Sequence, residues 1–207
     1  MAISPGSTLA DYLVPTSKSR SMNVLRDILL IIGFSIFTGL CAHVSFLLPF
    51  TPVPVTLQTL AVLLTGAALG SRRGGLALLV YLAEGAAGLP VFSPLPPSPG
   101  GLAALFGITG GYLWSFPVAA FVTGLLSERH FDRRFLTSAL AMLPGTLIIY
   151  AIGVPWLAAV LHLNLLTAVK IGMLPFIPGD LLKLLIAAAL LPTAWAIVRR
   201  VKPGQRL

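Results

Sequence analysis

Apolar and polar positions fall in long blocks along this chain. Residues 1–23 are polar, with Ser, Pro and Gly, and read as a flexible tail. An apolar run then extends to Phe50, broken near its start only by Arg26 and Asp27. It exceeds the roughly 20 residues a helix needs to cross a bilayer, and it lacks a clean small-residue cleavage site, so it reads as a retained first span. Thr51 to Thr56, TPVPVT, is a proline-paired extended break. Two short apolar blocks follow, 57–70 and 76–88, joined by SRRGG as the expected turn. Both are short for a full crossing, so they extend into their flanks or leave irregular backbone buried in protein at membrane depth.

The segment from Gly88 to Gly111 has five prolines, many glycines and no charge. A solvated loop would be polar, so this one is expected to pack into or over the protein. A fourth span covers 111–126, a charged loop 127–135, a fifth span 136–163 and an apolar connector 164–179. The sixth runs from Asp180 to Val198, and 199–207 form a basic tail. The pattern therefore predicts an all-α integral membrane protein. It has one domain of six transmembrane helices over 24–198 and no internal repeat.

Composition agrees. The chain of 207 residues is 57% hydrophobic and 10% charged, with mean hydropathy +0.94. A soluble domain is about one-quarter charged. The net charge of +8 does not point to nucleic acid, because the basic residues form short clusters between uncharged blocks. With the N-terminus inside, every Lys and Arg except Lys170 and Lys183 falls at an inner end, 12 of 14. That bias predicts six spans with both termini cytoplasmic and basic loops facing anionic lipid, in a multi-pass protein of the cell membrane. Cys41 is alone, and His43, His130 and His162 lack ligand spacing, so no disulfide, metal or cofactor is expected.

Asp180 and Lys183 are the charges that need explaining. Each costs roughly 2.5–3.5 kcal/mol to insert, and three residues apart they share a helix face. Two readings stand. Asp180 caps the helix after Pro178-Gly179 while Lys183 snorkels outward, or the pair meets a ligand. Glu84 reads as an interfacial glutamate. Thr56 and Gln58 place a hydroxyl and an amide near the outer end of the second span, as caps or as pocket groups. Tyr112, Trp114 and Trp156 are belt anchors or pocket walls. Ser35, Gly39, Thr38 and Ala42 give the first span a small-residue face for internal packing or for assembly. No Walker A, H-E-x-x-H or G-x-S-x-G motif is present, so the chain carries no ATP site or recognisable catalytic centre of its own.

TPVPVTLQTLAVLLTGAALGSRRG, YLAEGAAGLPVF, TGGYLWSF, GVPWLA and PFIPGDLLKLLIA occur in that order between about Thr51 and Ala189. Together they resemble the BioY family, the biotin-specific S components of energy-coupling factor (ECF) transporters. The resemblance implies six membrane helices and biotin captured from outside. It also implies a partner module of one transmembrane coupling subunit and two cytosolic ATPases. Asp180 and Lys183 match the family's Asp-x-x-Lys, Thr56 and Gln58 its P-V-T-x-Q-T block and Tyr112 its T-G-G-Y. These five are the expected biotin-binding residues, and Ser35, Gly39 and Ala42 the expected partner interface.

Two departures stand out. Ile108 occupies a position where the family often has Pro, and Ser93 to Pro99 is unusually rich in proline. The expected lid comprises Pro49 to Thr56 and Gly88 to Gly110. Asp180 is assigned to the ureido end of biotin and Lys183 to the carboxylate, with a bridged pair touching the ligand through one partner as the alternative. The rivals are another vitamin, a carrier working without a module, and an intramembrane enzyme using the pair as acid and base.

Overall fold

The computed structural model describes residues 8–95 and 99–201. Residues 1–7 and 202–207 of the two expected tails lie outside them.

Four apolar stretches are long enough to cross a bilayer: Arg20–His43, Gly110–Ser127, Phe135–Val160 and Leu165–Val198. The first three are single helices, α2 (Arg20–His43), α6 (Gly110–Ser127) and α7 (Phe135–Val160). The last is divided into α8 (Leu165–Gly172), a 3-10 turn at Leu174–Phe176 and α9 (Ile177–Val201). Leu25, Leu29, Ile32, Ile36 and Leu40 lie exposed along α2, and Leu136, Leu140, Leu143 and Leu147 along α7. Rows of exposed large aliphatics along helices with few or no charges are the surface of an integral membrane protein.

The two short blocks are α3 (Gln58–Leu69) and α4 (Ser71–Ala86). At 12 and 16 residues they reach roughly 18 and 24 Å, less than the hydrocarbon thickness of about 30 Å. What precedes α3 makes up the difference. Ser45–Phe46 (β1) pairs antiparallel with Val55–Thr56 (β2), Ser45 opposite Thr56. The Thr51 hydroxyl donates to the Ile171 carbonyl at 2.6 Å, and the Leu57 amide to Val44 O. Irregular backbone is thus satisfied inside the protein.

The expected turn at Ser71 to Gly75 is not one. The turn is Gly70 alone, at φ +84°, a backbone region that side chains disfavour. Ser71 already opens α4, its amide and hydroxyl both held by Glu128 Oε1 at 2.7 and 2.9 Å. Gly74 has a different use: a Cβ there would meet Gly66 Cα at 2.9 Å, so the α3–α4 hairpin closes on bare backbone. A Cβ on Gly66 would overlap the Ala120 carbonyl, which brings α6 against the same hairpin.

The N-terminal expectation also changes. Residues 9–13 form a helix, α1 (Leu9–Leu13), capped by Thr8, and α2 starts at Arg20 inside the expected tail. Leu9 is buried with Trp195 and Val198, and Asp11 is gripped by Arg26 and Arg73. One apolar anchor and one ion cluster hold a segment whose composition alone looks like linker. At the other end α9 continues to Val201, three residues beyond the expected limit of the sixth span.

α5 (Gly101–Phe106) lies within the proline-rich segment. Ala104 and Leu105 are buried, and the indoles of Trp114 and Trp156 donate to Leu105 O and Gly107 O at 3.0 and 2.9 Å. This connection is fastened onto the bundle, as its lack of charge predicts.

Candidate functional site

One cavity lies where α2 and α4 end and α3, α6 and α9 begin. Its walls include Val53, Pro54 and Phe92, Tyr112 and Phe116 of α6, Ile149 of α7, and Phe176. Counting the open solvent at its mouth, the space bounded by these residues is ≈ 680 Å³.

Charge enters this apolar enclosure at one point. Asp180 lies in the first turn of α9, which begins at Ile177, so it does not cap that helix as the sequence suggests. One turn on, Lys183 Nζ donates to Asp180 Oδ1 at 2.9 Å and to the Thr59 hydroxyl at 3.0 Å. Thr59 donates in turn to Oδ1 at 3.3 Å, and the Tyr150 phenol donates to Oδ2. Both side chains are about nine-tenths buried. Three helices therefore build the cluster: α9 supplies the pair, α3 the threonine and α7 the tyrosine. A carboxylate has about four lone-pair sites and an ammonium three donors. The contacts within the protein leave one acceptor site on Oδ2 and one N–H on Lys183 unused.

Thr56 and Gln58 also line the cavity, coupled to each other. The Thr56 hydroxyl accepts from the Gln58 amide N–H at 3.1 Å and donates to Oε1 at 3.1 Å. The Gln58 side-chain amide donates to the Tyr81 phenol, which donates to Val91 O at 3.1 Å. Tyr112 contributes its ring, since its phenol is spent on Gly172 O at 2.8 Å. Gly153 makes room for that ring, because a Cβ there would overlap it. All five expected binding residues thus border one cavity.

The expected partner face is packed within the chain. Ser35, Gly39 and Ala42 point into the bundle. Ser35 and Ala42 are fully buried, the Ser35 hydroxyl donates to Glu84 Oε2 at 2.7 Å, and Gly39 abuts Val91. The small side chains serve internal packing, the plainer of the two readings, and the surface of α2 is its aliphatic side. Glu84, taken as interfacial, is the acceptor that makes the buried serine affordable. Trp114 and Trp156 hold the proline-rich segment and do not line the cavity.

Sequence reasoning missed Thr59, Tyr150, Ser93 and Phe92. A signal existed for Tyr150, a hydroxyl inside the aliphatic run LIIYAIG. Thr59 and Ser93 had none that separates them from ordinary small polar residues. Phe92 is placed by Gly85, where a Cβ would overlap its ring, and by an edge-on contact with Tyr81, centroids 5.4 Å apart.

Residues 15–200 match the BioY family. The chain is 39% identical over 175 residues to the biotin transporter BioY of Rhizobium etli, covering 80% of this chain and 90% of that one. It is 41% identical over 160 residues to the biotin transporter BioY of Thermotoga maritima, covering 76% and 90%. Among solved structures it is similar to the S-component for biotin from an ECF-type ABC transporter. The TM-score is 0.73 at 25% identity, with 89% of this chain and 94% of the other covered.

Proposed function

The chain belongs to the BioY family, and we propose that it is a biotin-binding S component, the substrate-capture subunit of an ECF-type vitamin uptake transporter. Its relatives are named transporters, and the reading for this chain is likewise capture and delivery, not catalysis. The carrying observation is the Asp180–Lys183 pair, the only charges described on the wall of a cavity otherwise lined by apolar, aromatic and neutral polar side chains.

The geometry favours the bridged alternative over the split assignment. Two charges 2.9 Å apart occupy one point, so they serve one end of an extended ligand. The spare acceptor on Asp180 and the spare donor on Lys183 pair with a ureido group, whose N–H and C=O are neighbours on one ring. Charge-assisted bonds of this kind are about twice as strong as neutral ones. The aromatic walls suit the bicyclic ring. Thr56 and Gln58 hold the wall through Tyr81, and the Tyr112 ring forms part of it.

Biotin enters from outside, at the end of the bundle away from the basic clusters, with both termini cytoplasmic and the chain in the plasma membrane. Arg26, Arg73 and Arg133 gather at the opposite end, as that orientation requires. Inward release draws on a separate transmembrane coupling subunit and two ATPases.

The test is calorimetric binding of biotin to purified protein in detergent, beside an analogue whose ureido group is replaced. Biotin binding with strong loss for the analogue is the expected result. Equal affinity for both would refute the assignment. Lys183→Met separates the two arrangements: a ureido contact weakens biotin and biotin methyl ester alike, whereas a carboxylate contact weakens biotin alone.

A further inference from the structure

We propose that Ser93 is a ligand-contacting residue and that its hydroxyl holds the carboxylate end of biotin; this rests on the function proposed above. Ser93 lines the cavity, and its Oγ is buried without a hydrogen-bond partner. Leaving a buried hydroxyl unpaired is unfavourable, and native proteins keep few such groups. Most other hydroxyls and amides on the wall are spent: Thr56 on Gln58, Gln58 on Tyr81, Thr59 and Tyr150 on Asp180, Tyr112 on Gly172; Thr109, beside the start of α6, is the exception.

Position decides which end of the ligand Ser93 meets. Phe92 packs on Tyr81 and Gly85 of α4, and Val91 on Gly39 of α2 and the Tyr81 phenol, so residues 91–93 are carried by the α2–α4 side. Asp180 belongs to α9, which packs against α7 and α3, while α4 packs against α2, α3 and α6. The two polar points therefore come from different sides of the cavity. A ligand with two polar ends, one anchored at Asp180 and Lys183, presents its other end to a donor on the far side, and Ser93 is the hydroxyl there that is buried and unpaired. Lys183 is the only cation in the described wall and is committed to the first point. The carboxylate is then held by a neutral O–H, a short charge-assisted bond that needs no second buried cation.

Affinities of biotin and biotin methyl ester for the wild-type chain, Ser93→Ala, Ser93→Cys and Thr123→Val test this. Thr123 Oγ1 is also buried and unpartnered but lies outside the cavity, so its variant controls for loss of any buried hydroxyl. The expected result is roughly tenfold weaker biotin binding in Ser93→Ala, little change for the ester, an intermediate loss in Ser93→Cys and none in Thr123→Val. Three results overturn the proposal. Ser93→Ala binds biotin as the wild type does, or loses acid and ester equally, or Thr123→Val loses as much. Wild-type protein that binds no biotin would instead overturn the function on which the proposal rests.

Discussion

The protein buries two acid–base clusters, one at each end of the bundle, and they are built for opposite purposes. At the basic end Asp11 of α1 is saturated. Its Oδ1 accepts from Arg26 at 2.6 Å and Arg73 at 2.8 Å, and its Oδ2 from Arg73 at 2.9 Å and Thr8 at 2.7 Å. Burial alone would raise this carboxyl, but the Arg73 and Arg26 bonds outweigh it and bring the pKa down to about 2. At the cavity end Asp180 and Lys183 are equally buried but keep one acceptor and one donor unused beside open space. A closed cluster ties helices together; an open one is available to a ligand. Burial of charge does not distinguish them, whereas unspent hydrogen-bonding capacity does.

Removing each acid should therefore have separable consequences. Asp180→Ala is expected to lower biotin affinity by more than 100-fold, on the order of 3 kcal/mol, with a loss for the ester as well. Asp11→Ala should leave affinity within about twofold but destabilise the chain by roughly 2–3 kcal/mol. It leaves the half-exposed Asp27 as the one acid shared by Arg26 and Arg73 and frees α1, and thermal unfolding in detergent reads the change. If Asp11→Ala abolished binding with no loss of thermal stability, the contrast between the two clusters would be void. Tyr150→Phe removes one donor from Asp180 and should weaken biotin by about five- to tenfold, near 1 kcal/mol.

The smallest effect is the pH dependence. Because Asp11 titrates lower folded than its ordinary 3.8, its contribution is complete above that value and is lost as pH falls towards about 2. Unfolding temperature should fall more steeply over that interval in wild type than in Asp11→Asn. Asp132, pushed up by burial against the lowering pull of the Trp195 indole, works in the other sense, and ionising it costs stability as pH rises. Asp132→Asn should flatten that loss of stability.

The bundle was largely legible. Hydropathy located the long spans within a few residues, because a stretch that must satisfy its backbone in lipid has to be helical and apolar. The Asp-x-x-Lys spacing marked the open cluster, since two charges in an apolar helix stand out against their background. The α1 anchor was illegible because Ser, Pro and Gly around it outweigh Leu9 and Asp11 in any window. Ser35, Gly39 and Ala42 were ambiguous for a related reason. Small residues report close approach but not what approaches, and here it is Val91 and the Ser35–Glu84 bond.

The amino-acid order by itself determined that this chain lives in a bilayer, which long segments are apolar enough to cross it and which charges require a partner. Those properties follow from transfer free energies summed along consecutive residues. Only the tertiary structure decided that Thr59, Tyr150, Asp180 and Lys183 form one cluster, and that Ser93 faces the same space with its hydroxyl unpaired within the protein. Those facts depend on residues far apart in the chain arriving within 3–4 Å of one another or failing to, and hydrogen-bond capacity can be counted only after they have met.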